Sequence, residues 1–184
     1  KRRINFHIKG NKLKRLLDII FSLLIIAVFL PVGLFIILIL KFTGEGEIFY
    51  KQSRTGQYGK QFGIYKFVTM IKDSPNLGAG DITLKEDSRV LPFGKILRKL
   101  KLNEFPQFLN VLLGDMSIVG PRPLAVHHYE RDLKQGNVTR ALIKGGLIGL
   151  GHVLKGTPEM GKPIYEYEYI DQYLKRTSLG LLWL

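Results

Sequence analysis

The sequence contains no cysteine, so disulfide bonds and thiolate chemistry are excluded. Acidic residues are scarce: 15 Asp and Glu stand against 28 Lys and Arg, which gives a formal net charge of +13. A charge of this size indicates an anionic partner, either nucleic acid or phosphate-bearing lipids and ligands. Neither zinc-ligand spacing nor an aromatic RNA-binding strand motif is present. This pattern argues against nucleic acid and favours a membrane or a phosphorylated ligand.

Long apolar runs are absent except for one, at residues 16–40, whose only charged residue is Asp18. At about 1.5 Å per residue, a helix of this length crosses the roughly 30 Å hydrocarbon core of a bilayer. A buried helix of a soluble core would be shorter, usually about 10 to 14 residues. A cleavable signal peptide is disfavoured because Lys41, rather than a small-residue cleavage site, follows the run. The run therefore predicts a membrane helix.

Pro31 lies near the middle of this run, where it removes one backbone hydrogen bond and clashes with the preceding turn, so we expect a sharp bend there. Basic residues flank both ends of the run: Lys12, Lys14 and Arg15 precede it, and Lys41, Lys51 and Arg54 follow it. The positive-inside rule assigns both flanks to the cytoplasm, which a single span cannot satisfy. We therefore predict a re-entrant helix that enters and leaves at one face, with a kinked spanning helix as the alternative.

The sequence predicts three segments: a basic juxtamembrane segment at 1–15, the re-entrant membrane helix at 16–40, and a cytoplasmic domain at 41–184. In the third segment, short aromatic and β-branched runs are mixed with amphipathic helical patterns. The expected fold class is therefore α+β, with a small mixed helix and strand catalytic domain and interfacial amphipathic helices.

Local patterns predict the elements of this domain. Residues 48–50 and 62–67 read as strands of a hairpin, and the cationic pattern at 92–102 as a helix, either at the membrane interface or with a solvated basic face. A helix capped by Asn103 follows and ends at Gly114. Other expectations are a flexible loop at 74–81, a loop at 115–123, helices at 124–134 and 166–175, a strand pair at 145–151 and a truncated interfacial helix at 179–184.

Glu104 is the candidate for a reacting or metal-binding carboxylate. It falls in a predicted first helical turn, where exposed amides favour anions, and Arg98 stands nearby. The alternative is that Glu104 only complements the helix dipole. Arg122 lies between two prolines, and its guanidinium fork suits a phosphate, which predicts a phosphate clamp. Lys66, at the end of a predicted strand, is placed to meet the same ligand.

Four segments follow one another in an order and spacing not expected by chance: residues 14–18 (KRLLD), 65–70 (YKFVTM), 102–107 (LNEFPQ) and 110–123 (NVLLGDMSIVGPRP). Together with the proline-interrupted apolar helix, they resemble the bacterial sugar transferases known as monotopic phosphoglycosyl transferases. The resemblance runs from about Lys14 to the end of the chain.

The resemblance implies an enzyme on the cytoplasmic face of the bacterial inner membrane. Such an enzyme transfers a phosphosugar from a UDP-sugar to a polyprenyl phosphate such as undecaprenyl phosphate, and it begins the synthesis of O-antigen, capsule or exopolysaccharide. In the family, an aspartate–glutamate pair and Mg²⁺ serve a two-step reaction through a phosphosugar bound to the aspartate. The matching positions here are Asn103 and Glu104 for catalysis and metal, and Lys66, Arg98 and Arg122 for the substrate phosphates.

Three positions depart from the family pattern. Asn103 replaces the aspartate, Val68 replaces a common arginine, and Lys144-Gly145-Gly146 replaces the usual Arg-Pro-Gly. An amide is not a comparable nucleophile and is a weaker, neutral metal ligand. Three alternatives remain open: a natural branch that still works, an inactivating substitution, or a non-catalytic membrane-surface module that binds polyprenyl phosphate or glycan-assembly enzymes. The first is favoured because Glu104 and the three phosphate-binding cations are retained.

Overall fold

The computed structural model describes residues 12–43, 45–77, 86–149 and 163–175. Its helices and strands are, in order, α1 (Lys12–Phe42), β1 (Phe49–Thr55), β2 (Gln61–Phe67), α2 (Pro92–Lys99), α3 (Gln107–Leu113), β3 (Ser117–Val119), α4 (Val126–Lys134), α5 (Thr139–Leu142), β4 (Gly146–Ile148) and α6 (Pro163–Lys175). Short 3-10 turns lie at Gln57–Gly59, Ser74–Asn76 and Leu102–Glu104. This mixture of helices and strands behind one long apolar helix confirms the α+β class.

Helix α1 contains the whole apolar run and stays helical through Pro31. The helix therefore does not end at this proline, because a helix can lose one hydrogen bond there and bend without ending. The predicted bend stays a prediction. Among the described residues, α1 is the one helix long and apolar enough to cross a membrane, by length and composition. Many of its large apolar side chains are exposed, including Val28 and Phe35. The re-entrant path stays a prediction.

The described residues divide into two compact units. The first unit contains the residues up to 24, residues 53–63 and those from 108 onward, and the second contains residues 25–52 and 64–107. The division passes through α1 and through the hairpin of β1 and β2, so each of these elements contributes residues to both units. The boundaries predicted at residues 15 and 40 remain a sequence-based expectation.

The core of the second unit joins the C-terminal half of α1 to β2 and α2. Its buried side chains are Ile36, Leu40, Phe67 and Leu97. The ring of Phe49 stacks on that of Phe67 at 5.5 Å between centroids. Burial of several large apolar side chains, each contributing about 1.5–3 kcal/mol, fixes the strand that carries Lys66 against the helix that carries Arg98.

The first unit contains a parallel pair formed by β3 and β4, with Ser117 opposite Gly146 and Val119 opposite Ile148. The predicted loop at 115–123 thus contains a strand, which three residues of sequence are too short to reveal. Within the predicted strand pair at 145–151, the described strand is β4, and its partner is the distant β3. Ile143, Tyr169 and Ile170 form the buried cluster that packs α6 beside this pair.

The hairpin and the helices predicted at 92–102, 124–134 and 166–175 are confirmed as β1–β2, α2, α4 and α6. Asn103 does not cap α3: it lies in the 3-10 turn, and α3 begins at Gln107, directly after Pro106. A cap at Asn103 would accept from the N–H of residue 105 or 106, but the Phe105 N–H donates to the Leu102 carbonyl at 3.1 Å and Pro106 has no N–H. Gly114, with φ +88°, ends α3 as expected. The parts of these expectations that concern residues 1–11, 78–81, 150–151 and 179–184 fall outside the described residues.

Candidate functional site

Lys66 and Arg98 lie in the second unit, where neighbouring side chains hold both cations. The Lys66 ammonium donates a hydrogen bond to Oε1 of Gln52 at 2.9 Å. The Arg98 Nε donates to Oγ1 of Thr69 at 2.9 Å, three residues along the chain from Lys66. Side chains held in this way lose less conformational entropy when they bind a ligand. The two predicted phosphate-binding cations are therefore placed at the same end of β2.

Gly94 permits the contact that positions Arg98. A Cβ atom at Gly94 would lie 2.3 Å from the carbonyl oxygen of Thr69, a distance no side chain can occupy. That oxygen also accepts a hydrogen bond from the Leu91 N–H at 3.0 Å, just before α2 begins. Helix α2 can thus approach the backbone at Thr69 only because residue 94 is glycine, and Arg98 follows one turn later.

Asn103 and Glu104 lie in the 3-10 turn that follows α2, and both are partly buried. Lys101 adopts a left-handed conformation, with φ +61°, so the chain turns sharply before this pair. Partial burial lowers the pKa of Arg98, while the nearby carboxylates of Asp87 and Glu104 oppose that change. The Glu104 carboxylate is thus close enough to raise the pKa of Arg98. The second unit thus contains a carboxylate, an amide and two cations, and the carboxylate lies near one of the cations, Arg98.

The donor atoms of Asn103 and Glu104 suit a magnesium ion that a phosphorylated substrate helps to bind. Within the described ranges, no three His, Asp or Glu side chains gather as a metal site. Mg²⁺ needs no such cage, since it is commonly held by one or two carboxylates together with water and substrate phosphates. One carboxylate and one amide oxygen therefore fit this cation, although less strongly than two carboxylates would.

Arg122 lies in the first unit, exposed between the buried residues Pro121 and Pro123. The loop that carries it is tightly held, because the Pro121 carbonyl accepts a hydrogen bond from the Gly146 N–H at 2.9 Å. On its other side, a Cβ atom at Gly145 would lie 2.4 Å from the Pro123 ring. The exposed guanidinium on a held backbone is consistent with the predicted phosphate clamp.

Asp18 is a further polar centre, which the sequence indicated only as the single charge of the apolar run. It is 8% exposed, and its carboxylate accepts hydrogen bonds from Ser117 Oγ at 2.7 Å and from the Ile118 N–H at 3.1 Å. Lys14 Nζ lies 3.2 Å from the same carboxylate. Asp18 thus ties the start of α1 to β3, just before the loop that carries Arg122. An ionisable residue inside an apolar segment is the signal that could have pointed to this role.

The chain matches the family model described as bacterial sugar transferase over residues 9–183. A UDP-glucose:undecaprenyl-phosphate glucose-1-phosphate transferase of Klebsiella pneumoniae is 43% identical over 173 residues, covering 91% of this chain and 37% of that protein. A UDP-N-acetylgalactosamine-undecaprenyl-phosphate N-acetylgalactosaminephosphotransferase of Aeromonas hydrophila is 34% identical, covering 92% of this chain and 40% of that protein. A UDP-glucose:undecaprenyl-phosphate glucose-1-phosphate transferase of Escherichia coli (strain K12) is 40% identical over 143 residues, covering 77% of this chain and 31% of that protein.

These similarities extend over nearly the whole chain. The chain spans two fifths or less of the length of these three relatives, yet the match includes the start of α1, both units and all five predicted site residues. The resemblance first indicated by four short motifs is thereby confirmed over nearly the whole chain. The chain belongs to the bacterial sugar transferase family.

Proposed function

We propose that this chain transfers a phosphosugar from a UDP-sugar to a polyprenyl phosphate, as the initiating step of O-antigen, capsule or exopolysaccharide synthesis. The observation that carries this proposal is the match of nearly the whole chain to the sugar transferase family, with relatives named for UDP-sugar and undecaprenyl phosphate. Undecaprenyl phosphate is accordingly the proposed acceptor. The relatives differ in the sugar they are named for, so the proposal leaves the sugar open.

The reaction breaks the phosphoanhydride bond of the UDP-sugar and releases UMP. An oxygen of the lipid phosphate forms the new bond to the sugar-bearing phosphorus, which gives a polyprenyl diphosphosugar. Lys66 and Arg98 of the second unit are proposed partners of the diphosphate oxygens, since charge-assisted hydrogen bonds stabilise phosphates strongly. Arg122 of the first unit is proposed as a phosphate clamp on the same ground. Mg²⁺ held by Glu104 and Asn103 would neutralise diphosphate charge and help UMP to leave.

The route to the new bond depends on Asn103 and Glu104. A neutral amide cannot form the phosphosugar adduct that the family aspartate forms, so Asn103 is proposed as an orienting group and a metal ligand. Glu104 then remains as the neighbouring carboxylate. Its role is either nucleophile or metal ligand during direct attack by the lipid phosphate.

The proposed location is the cytoplasmic face of the bacterial inner membrane. A re-entrant α1 would anchor the chain there and leave both basic flanks on the same side. Helix α2 and the residue that follows it support an interfacial placement, because Ile96 and Leu100 are 53% and 59% exposed beside the exposed cations Lys95 and Lys99. Exposed apolar and cationic side chains on one short element suit the boundary between lipid headgroups and acyl chains.

A non-catalytic membrane module is the second candidate function. It is favoured by Asn103, which removes the family's nucleophile, and by Val68 and Lys144 at two further altered positions. Such a module would bind polyprenyl phosphate or enzymes of glycan assembly without turning over a UDP-sugar.

The deciding experiment measures UMP release by the purified chain in nanodiscs with Mg²⁺, undecaprenyl phosphate and a panel of UDP-sugars. We expect release that requires the lipid phosphate and is lost in Glu104→Gln, which keeps side-chain volume and removes charge. Lys134→Gln, at an exposed position on α4, is the matched surface control and should keep wild-type rates. Retained binding of undecaprenyl phosphate without UMP release from any sugar would contradict the transferase and support the membrane module.

A further inference from the structure

A cavity of about 330 Å³ lies in the first unit, beside the first two turns of α1. Four cationic side chains line it against one carboxylate: Lys12, Lys14, Arg15 and Lys144 face Asp18. We call this space the cationic cavity; these five residues are its charged lining, and six uncharged residues complete it. So many like charges around one space are costly unless each has a compensating partner.

The single carboxylate of the cationic cavity is already engaged. Asp18 pairs with Lys14 at 3.2 Å and accepts hydrogen bonds from Ser117 and from the Ile118 N–H. Lys14 also donates to Ser117 Oγ. One cation is therefore compensated by Asp18, and this carboxylate has little capacity left to balance the other three.

Among the described residues, the hydrogen-bond partners of Arg15 are backbone carbonyl groups. Its guanidinium donates from Nη1 to the Val111 carbonyl and from Nη2, at 2.8 Å, to the Leu112 carbonyl, both in the last turn of α3. Carbonyl groups at a helix C-terminus carry partial negative charge and stabilise a cation there. They orient Arg15 without supplying a full negative charge, so the cavity keeps an excess of positive charge.

Lys144 is held close to Arg15. A Cβ atom at Gly114 would lie 3.4 Å from Arg15 Nη2 and 3.7 Å from Lys144 Nζ, so both cations approach one point. In the described part of the chain, no carboxylate lies within 4 Å of the Lys144 ammonium. The negative charge of Asp115 raises the pKa of Lys144, but Asp115 is itself paired with Lys60 at 3.4 Å. Burial lowers the pKa of Lys144, and the Arg15 charge adds to this effect.

We propose that the cationic cavity is a binding site for a phosphomonoester, with Lys144, Lys12 and Arg15 as its cationic partners. A phosphate dianion matches the excess charge better than a carboxylate does, and its several oxygens can accept from all three groups. The volume leaves room for atoms beyond the phosphate itself. This inference does not rest on the proposed transfer reaction, and its test measures binding rather than turnover.

The test uses the whole chain in phosphatidylcholine nanodiscs, titrated with inorganic phosphate by calorimetry and followed by thermal unfolding. Wild type should bind phosphate and gain thermal stability from it, because a ligand that binds the folded state stabilises that state. Lys144→Gln should weaken binding by at least about tenfold, the scale of one charge-assisted hydrogen bond. Lys144→Arg should retain most of the affinity, and Lys134→Gln, which removes an exposed cation of the same unit, should retain all of it.

A structural role for Lys144 predicts a different result. If Lys144 is a binding residue repelled by its cationic neighbours, Lys144→Gln should leave the thermal midpoint of the unliganded protein unchanged or raise it. If Lys144 makes a structural contact, the same change should lower that midpoint. Should Lys144→Gln fail to fold, Lys12→Gln at an exposed position makes the same comparison. Equal phosphate affinity in wild type and the cavity variants, or no phosphate-dependent stabilisation of wild type, would overturn the proposal.

A second arm identifies the source of the phosphomonoester. Nanodiscs that contain phosphatidic acid present the same group on a lipid. If the site takes a lipid-borne phosphate, phosphatidic acid will lower the apparent affinity for inorganic phosphate in wild type and not in Lys144→Gln. If inorganic phosphate binds equally well with and without phosphatidic acid, the site takes a soluble phosphomonoester.

Discussion

At Asn103, the exchange of one oxygen for an amide nitrogen separates this chain from the family pattern. The amide has nearly the volume of a carboxylate, so the 3-10 turn at Leu102–Glu104 is compatible with either residue. What changes is charge: an amide is a poor nucleophile and a weaker ligand for a hard cation. We therefore expect this residue to affect chemistry far more than folding.

Asn103→Asp should raise the rate of phosphosugar transfer strongly, because it restores a charged nucleophile and metal ligand in an unchanged turn. The measurement is UMP release with undecaprenyl phosphate, together with a radiolabelled UDP-sugar to detect a covalent phosphosugar on the protein. Asn103→Ser, which is neutral and small, is the control and should not raise the rate.

The covalent adduct distinguishes the alternatives for Asn103. An adduct on the Asn103→Asp protein but never on the present sequence indicates an inactivated enzyme. Turnover by the present sequence that is lost in Glu104→Gln indicates a working branch that uses Glu104. Turnover that survives Glu104→Gln would leave neither residue with the proposed role.

Arg122→Ala should weaken binding of a UDP-sugar by about 1.5–3 kcal/mol, the scale of a hydrogen bond between charged groups. The fold should remain intact because Arg122 is exposed and the prolines beside it are unchanged. Isothermal calorimetry measures the change. Arg122→Lys should recover part of the loss, since a lysine keeps the charge but not the planar fork.

Arg131→Ala is the matched control for this measurement, because Arg131 is an exposed cation on α4 in the same unit. It should bind the nucleotide sugar as tightly as wild type. Identical affinities for wild type and Arg122→Ala would rule out the phosphate clamp.

Among the elements, α2 connects packing most directly to the site. Leu97 is 1% exposed in the core, while Arg98, the next residue, reaches Thr69. The close approach at Gly94 sets the distance between this helix and the end of β2. A change at Gly94 should therefore alter stability and the placement of Arg98 together.

Gly94→Ala should lower the thermal midpoint, although alanine is the better helix former by about 1 kcal/mol. The added Cβ meets backbone at 2.3 Å, and overpacking of this kind costs about 1–3 kcal/mol. Lys95→Ala, an exposed change on the same helix, should stay within about 0.5 kcal/mol of wild type. Equal midpoints for Gly94→Ala and Lys95→Ala would show that α2 shifts freely.

For the whole molecule, the path of α1 decides on which side of the membrane its two flanks lie. The re-entrant model predicts that both are cytoplasmic. Because the chain lacks cysteine, single cysteines can be placed by Asn5→Cys and Asn76→Cys. In intact cells, an impermeant thiol reagent should leave both unlabelled, and after lysis it should label both.

Pro31→Leu provides the matched comparison for the topology. It restores the missing backbone hydrogen bond and should favour a straight span, so the two cysteines should then differ in accessibility. Opposite labelling of the two cysteines in the chain with Pro31 would contradict the re-entrant model.

The sequence by itself determined the elements whose pattern is local. The apolar run predicts α1, alternation and a glycine-rich turn predict the hairpin, and helical spacing predicts α2, α4 and α6. The four motifs were sufficient to indicate the family. Four of the predicted site residues could be named from these motifs because the motifs are contiguous: Lys66, Asn103, Glu104 and Arg122.

Only the tertiary structure decided which distant groups meet. Strand β3 is three residues long and finds its parallel partner in β4, and Asp18 accepts a hydrogen bond from Ser117, 99 residues away. The close approach of Gly94 to Thr69 and the convergence of Arg15 with Lys144 likewise join segments far apart in sequence. Local periodicity records which face of an element is apolar, but not which element covers it. Buried hydrogen bonds and like charges held together depend on that packing, and they are therefore visible only in the folded chain.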